Sequence, residues 1–134
     1  MQEIREAALA DSLKADRDRF VLFDVREPEE FAVSRLSGAV RVDPEIDGKA
    51  FVKQHAAKLD GKTAVFYCSV GYRSSVLVDR LVEATGDTSR LVNLRGGIFN
   101  WHVSGNPVYN ADGETGRVHP YDAVWGRFLK RTDE

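Results

Sequence analysis

Continuous apolar runs of strand length alternate along this chain with segments of helical spacing, and that alternation narrows the folds open to it. "RFVLFDV" (Arg19 to Val25), "TAVFYC" (Thr63 to Cys68) and "RLVNL" (Arg90 to Leu94) are apolar through most of their length. Such strands suit a parallel sheet covered on both faces. "GAVRVD" (Gly38 to Asp43) reads as a shorter strand. Helical patterns fill the intervals. Ile4, Ala7, Ala8 and Leu9 begin a face that Leu13 extends toward Ala15. In "EPEEFAVS", Pro28 sits early in a helix with Glu29 and Glu30 in its first turn, where exposed N–H groups favour negative charge. A third helix is expected over Lys49 to Lys58, closed by the "DGK" turn at 60–62. The segment Arg73 to Thr85 carries Val76, Leu77, Val78, Leu81 and Val82, and Gly86 supplies a helix stop. "GGIFNWHV" turns into a short last helix. The fold class that follows is α/β, an open parallel β-sheet flanked by helices on both faces.

From Gly105 the composition shifts. "GNPVYNADGETG" is rich in turn formers and is expected to be a loop. Beyond it, Tyr121, Val124, Trp125, Phe128 and Leu129 fall at the spacing of one helical face, with Pro120 to open the helix, Lys130 and Arg131 at its negative end and Gly126 weakening it. The expected organisation is a domain over 4–108 and a C-terminal extension over 109–134, a loop plus a short amphipathic helix. That apolar face packs on the domain, or forms a dimer or partner contact, so the chain is a monomer or a homodimer.

One domain is the natural reading of 134 residues. A net charge of −2 gives no electrostatic reason to expect a nucleic acid partner. No apolar run approaches the roughly 18 residues of a membrane span, and "MQEIREAALADSLKAD" lacks an apolar signal core. A single cysteine, Cys68, cannot form an intramolecular disulfide. A reducing compartment, the cytoplasm, is the expected location.

That cysteine stands at the end of the "TAVFYC" strand, where open α/β sheets bind ligands. A thiolate is the reactive form, and a thiol of ordinary pKa, about 8.5, is only ~3% ionised at pH 7. Two features of "CSVGYR" are suited to holding a thiolate. The loop leads into a helix starting near Arg73, so its backbone N–H groups converge on one point, and Gly71 permits the tight curl. Arg73 adds a permanent positive charge nearby. Ser74 and Ser75 are further hydrogen-bond donors or cap residues. The same cradle suits an anionic substrate. No histidine stands in a recognisable catalytic context and no clustered metal ligands are present.

Taken together these segments resemble the rhodanese family of sulfurtransferases. "DVREPEEF" (Asp24 to Phe31) is similar to the family's D-V-R-x-x-x-E-[FY] segment. "SRLSGAVRV" (Ser34 to Val42) resembles G-H-I-x-G-A-x-x-[IV], with Ser34 and Arg35 in place of Gly-His. "YCSVGYRSS" matches the C-x-x-G-x-R-S loop, and "LRGGIFNW" (Leu94 to Trp101) matches L-x-G-G-x-x-x-W. The motifs occur in the family's order, in a single module.

The resemblance implies a single-domain sulfurtransferase that needs no cofactor or metal. Cys68 would attack the outer sulfur of a small anionic donor such as thiosulfate. The resulting persulfide would pass its sulfur to a thiophilic acceptor, cyanide or a thiol, including a protein thiol. Ser69, Val70, Gly71 and Tyr72 would contribute mainly backbone N–H groups, Val70 and Tyr72 side chains would shape the mouth, and Arg73 would orient the donor. Asp24 and Arg26 would tie the first strand end to its neighbours, Gly96 and Gly97 would allow close chain approach, and Trp101 would anchor the core. Whether Arg35 or Arg95 lines the site is open. The alternatives are a cysteine-based phosphatase or arsenate reductase of the same fold, or a persulfide-carrying interaction module. The phosphatases space cysteine and arginine by five residues, whereas four separate Cys68 from Arg73.

Overall fold

The computed structural model describes residues 1–120. The apolar runs become the strands of one parallel sheet. In chain order the elements are β1 (Gln2–Ile4), α1 (Glu6–Ala15), β2 (Phe20–Asp24), α2 (Pro28–Val33), β3 (Val40–Arg41), α3 (Gly48–Leu59), β4 (Thr63–Tyr67), α4 (Tyr72–Thr85), β5 (Leu91–Leu94), α5 (Gly97–Val103), β6 (Val108–Asn110) and β7 (Gly113–Thr115). The five-stranded sheet runs β1-β5-β4-β2-β3 with every pairing parallel.

Alternation along the central strand sorts the core into two layers, because successive side chains leave opposite faces of a strand. Val65 and Tyr67 of β4 pack with Leu9 of α1 and with Ile98, Phe99 and Trp101 of α5. Ala64 and Phe66 pack with Phe51 of α3 and with Leu77, Val78 and Leu81 of α4. The strand order accounts for this division. Right-handed crossovers put helices on opposite faces when successive strands are added in opposite directions. The β3-to-β4 and β4-to-β5 steps move one way along the sheet, and the β1-to-β2 step moves the other.

Several boundaries differ from the sequence reading. Ile4 belongs to β1, not to the first helix, and it lies opposite Leu94 of β5. A three-residue strand is too short to show a period, and pairing with β5 decides its conformation. The second expected strand shortens to Val40–Arg41, since Gly38 at φ +75° interrupts extended backbone. The segment after Gly105 is a hairpin instead of a loop. β6 and β7 pair antiparallel, Val108 is fully buried, and Trp101 Nε1 donates to the Pro107 carbonyl at 2.8 Å. Arg35 and Tyr109 exchange backbone hydrogen bonds of 2.8 Å each, which fastens the hairpin to the domain. The amphipathic helix expected from Tyr121 to Leu129 lies outside the described residues. Among the described residues no helix is long and apolar enough to cross a membrane.

Candidate active site around Cys68

Cys68 is the first residue after β4, the middle strand. From β2 the chain moves out toward the β3 edge, and from β4 it moves toward β5. Strands that diverge in this way leave a crevice beyond their carboxyl ends. The loop from Cys68 to Gly71 occupies that position.

The loop curls because Gly71 adopts φ +103°, a left-handed conformation costly for residues with a side chain. The curl brings the Gly71 N–H to 3.1 Å from Cys68 Sγ, and the Ser74 hydroxyl, in the first turn of α4, lies 3.4 Å from the same sulfur. Two carbonyls of the loop are held by α5. Ile98 N–H donates to the Cys68 carbonyl at 2.9 Å and Phe99 N–H to the Ser69 carbonyl at 3.0 Å. The first turn of α5, whose N–H groups lack partners within the helix, thus grips the back of the loop. Gly97 permits the approach: a Cβ there would stand 2.5 Å from the Cys68 and Ser69 carbonyl oxygens.

A second cluster closes the loop on its other side. Arg73 makes a two-point ion pair with Glu30 of α2, at 2.9 and 3.0 Å, and also donates to Ser69 Oγ at 2.8 Å. Ser69 Oγ in turn donates to Glu30 at 3.2 Å. Glu30 is 2% exposed and completes the capping box of α2 by accepting from the Glu27 N–H at 2.8 Å. Burial pushes the Glu30 carboxyl up, but the hydrogen bonds from Arg73 and Glu27 and the positive charges of Arg73 and Arg26 outweigh it, leaving the pKa below the ordinary 4.5.

Below the loop, Asp24 and Arg26 form a fully buried ion pair at 2.7 Å, the strand-tying role expected of them. Arg26 also donates to the Ser34 carbonyl at 2.6 Å. Tyr67 donates to Asp24 at 2.7 Å and accepts from the Leu36 N–H at 3.0 Å. These bonds tie the end of β4 to the connection after β2.

The structure brings Cys68, Ser69, Gly71 and Arg73 together. The guanidinium of Arg73 is engaged by Glu30 and Ser69, so its charge is matched by a carboxylate. Val70 packs against the core layer that holds α1 and α5. Tyr72 projects outward, 73% exposed. Arg35 lies along α2, donating to the Phe31 carbonyl with its guanidinium 4.5 Å from the Phe31 ring centroid, and it is no part of the cysteine loop. The Arg95 side chain is exposed. Trp101 is the core anchor expected, 5% exposed. Two residues were not singled out for the site: Glu30, and Asn93 of β5, which accepts from the Ser74 hydroxyl at 2.6 Å. A lone amide in the apolar run "RLVNL" was the signal available for Asn93. Among the described residues no group of three or more His, Cys, Asp or Glu side chains is placed to hold a metal ion.

Comparison with known proteins agrees with this architecture. An uncharacterized protein of Synechocystis is 29% identical over 97 residues, covering 69% of this chain and 48% of its own length. The chain therefore spans about half of that curated relative. A rhodanese-related protein from Thermoplasma volcanium superposes with a TM-score of 0.62 at 24% identity, over 81% of this chain and 97% of the other. An As-Sb reductase from Leishmania major superposes at 0.65 with 16% identity, over 75% and 76% of the two chains. At such identities these likenesses establish the fold alone. Residues 7–104 match the Rhodanese-like domain family, a span that takes in every strand of the sheet except β1 and the whole cysteine loop, and the chain belongs to that family.

Proposed function

We propose that the protein is a sulfurtransferase that carries a sulfane sulfur on Cys68. The observation that carries this reading is the hydrogen bond from the Gly71 N–H to Cys68 Sγ, at 3.1 Å, inside a loop whose Cys68 and Ser69 carbonyls are held by α5. A fixed N–H dipole aimed at sulfur favours the anionic form and needs no reorganisation as charge develops. The thiolate attacks the outer sulfur of a donor such as thiosulfate. A sulfur–sulfur bond forms to Cys68, the donor's own sulfur–sulfur bond breaks, and sulfite leaves with the bonding pair. A thiolate or cyanide then takes the outer sulfur and returns Cys68 as thiolate. The scheme is covalent nucleophilic catalysis, with ping-pong kinetics. A small anionic donor and a thiol acceptor, free or on a protein, are the partners implied. A lone working thiol suits a reducing compartment such as the cytoplasm.

Cys68 is 1% exposed, so the reaction includes an opening of the loop that admits the donor. The loop spacing and the engagement of Arg73 by Glu30 favour sulfur over phosphoryl chemistry, since a phosphoryl group needs a guanidinium to clamp its oxygens. Native protein treated with thiosulfate is expected to gain one sulfur by intact mass spectrometry, removable by cyanide. Cys68→Ala is expected to gain none. Hydrolysis of p-nitrophenyl phosphate by the wild type, with no sulfur adduct, would replace this reading with the phosphatase one. Absence of any adduct on a native thiol that labels only after denaturation would make Cys68 a structural residue.

A further inference from the structure

The Ser74 hydroxyl has more acceptors than protons. It lies 2.6 Å from Asn93 Oδ1, 3.3 Å from the Gly71 carbonyl oxygen and 3.4 Å from Cys68 Sγ. A hydroxyl donates once. With Cys68 protonated, the short contact keeps the proton on the Asn93 side, and a Ser74 lone pair faces the sulfur and accepts from the weak S–H donor. With Cys68 ionised that arrangement fails, because oxygen and sulfur lone pairs then face each other at 3.4 Å. The hydroxyl must rotate to donate to the thiolate, and Asn93 loses its bond.

Asn93 is built to make that competition specific. It is the only polar residue of β5 and is 1% exposed. Its amide nitrogen donates to the Gly71 carbonyl and to Glu3 of β1, at 3.3 Å each, which turns Oδ1 toward Ser74. We propose that Asn93 is a positioning residue that sets the ionisation of Cys68 by competing with its sulfur for the single proton of Ser74. The charged groups near this path have partners or lie apart from it. Glu30 and Arg73 are paired with each other, Asp24 and Arg26 are paired behind Tyr67, Glu3 stands at the far end of the Asn93 amide, and Arg95 is exposed beyond β5.

The inference concerns the thiol and not the identity of the transferred group, so it is tested without a turnover assay. Iodoacetamide labels the only cysteine of the intact chain, and the labelling rate against pH reports the thiolate. Ser74→Ala is expected to move the midpoint up by about half a unit to one unit, the scale of one modest hydrogen bond to a charged group. Asn93→Leu, nearly isosteric, is expected to move it down by a similar amount. The double variant is expected to match Ser74→Ala, because the proposed competition runs through that hydroxyl. An Asn93→Leu shift that survives in the Ser74→Ala background, or one directed upward, overturns the proposal. Asn93→Ala gives a second reading should the leucine variant fold poorly. The wild type gives a third: the Asn93 side-chain amide resonance is expected to titrate with the same midpoint as the labelling, and its failure to move also overturns the proposal.

Discussion

Gly97 is where the fold and the cysteine loop press on each other most closely, and Gly97→Ala measures that pressure. The residue has φ +64°, and an added Cβ would lie 2.5 Å from both the Cys68 and the Ser69 carbonyl oxygens, about 0.9 Å inside the 3.4 Å at which ordinary contact begins. Two terms follow. Left-handed backbone with a side chain costs about 1–2 kcal/mol. Pushing the loop back by that distance stretches the Ile98-to-Cys68 and Phe99-to-Ser69 hydrogen bonds beyond useful length, and losing them costs about 1 kcal/mol each. The expected total is about 3–4 kcal/mol, a large part of the roughly 5–15 kcal/mol that holds a domain together. Gly61→Ala isolates the first term, since Gly61 has φ +69° and nothing within 4 Å of its Cβ position. In urea denaturation, the alanine at 97 should fall below the alanine at 61 by about 2 kcal/mol, or ~1 M in midpoint at a slope of about 2 kcal/mol/M. Iodoacetamide labelling of Cys68 should quicken in the first variant and stay at the wild-type rate in the second. Equal midpoints for the two variants would refute the claim that α5 holds the loop by close approach.

Two further perturbations address the polar clusters beside the loop. Glu30 has its folded pKa below the ordinary 4.5, so its contribution to stability is complete above that value and is lost as pH falls through the folded pKa. The melting-temperature gap between wild type and Glu30→Gln should therefore be constant near neutrality and shrink on acidification below about pH 4.5, and a gap independent of pH would contradict the ion pair. Tyr67→Phe leaves the Leu36 N–H and the Asp24 carboxylate each short of a partner in a site with no solvent. The expected loss is about 2–3 kcal/mol, or roughly 6–12 °C in melting temperature. Burial and the Asp24 charge hold the phenol well above its ordinary pKa of 10, so the loss should not vary between about pH 6 and 9.

The sheet was legible because its inner strands are apolar on both faces, and a double-sided run has few homes outside a parallel sheet. Helix ends were legible where one residue decides them, as at Gly86, which closes α4 at φ +74°. The missed elements are those that pairing creates. β1 has three residues and is extended because β5 offers it a partner. The β6–β7 hairpin hides in turn-forming composition, yet Val108 fills the core beside Trp101. At the site, proximity in the chain shows only part of the arrangement. Arg73 stands five positions from Cys68, and that nearness suggested a charge directed at the sulfur. Its two-point partner is Glu30, 43 positions away, which local spacing does not reveal.

That pairing changes how the proposed chemistry is sustained. The Arg73 guanidinium is engaged at 2.9 Å by a buried carboxylate, so its charge is shared with Glu30. Two neutral donors stand at the sulfur itself, the Gly71 N–H at 3.1 Å and the Ser74 hydroxyl at 3.4 Å. Arg73 and Glu30 also brace the loop. Ser69 opens the loop and Arg73 closes it, and one carboxylate binds both, while α5 grips the carbonyls behind. Held at its ends and along its back, the loop keeps the Gly71 N–H on the sulfur. Reactivity of a cysteine this deeply buried then depends on how readily the mouth of the loop opens.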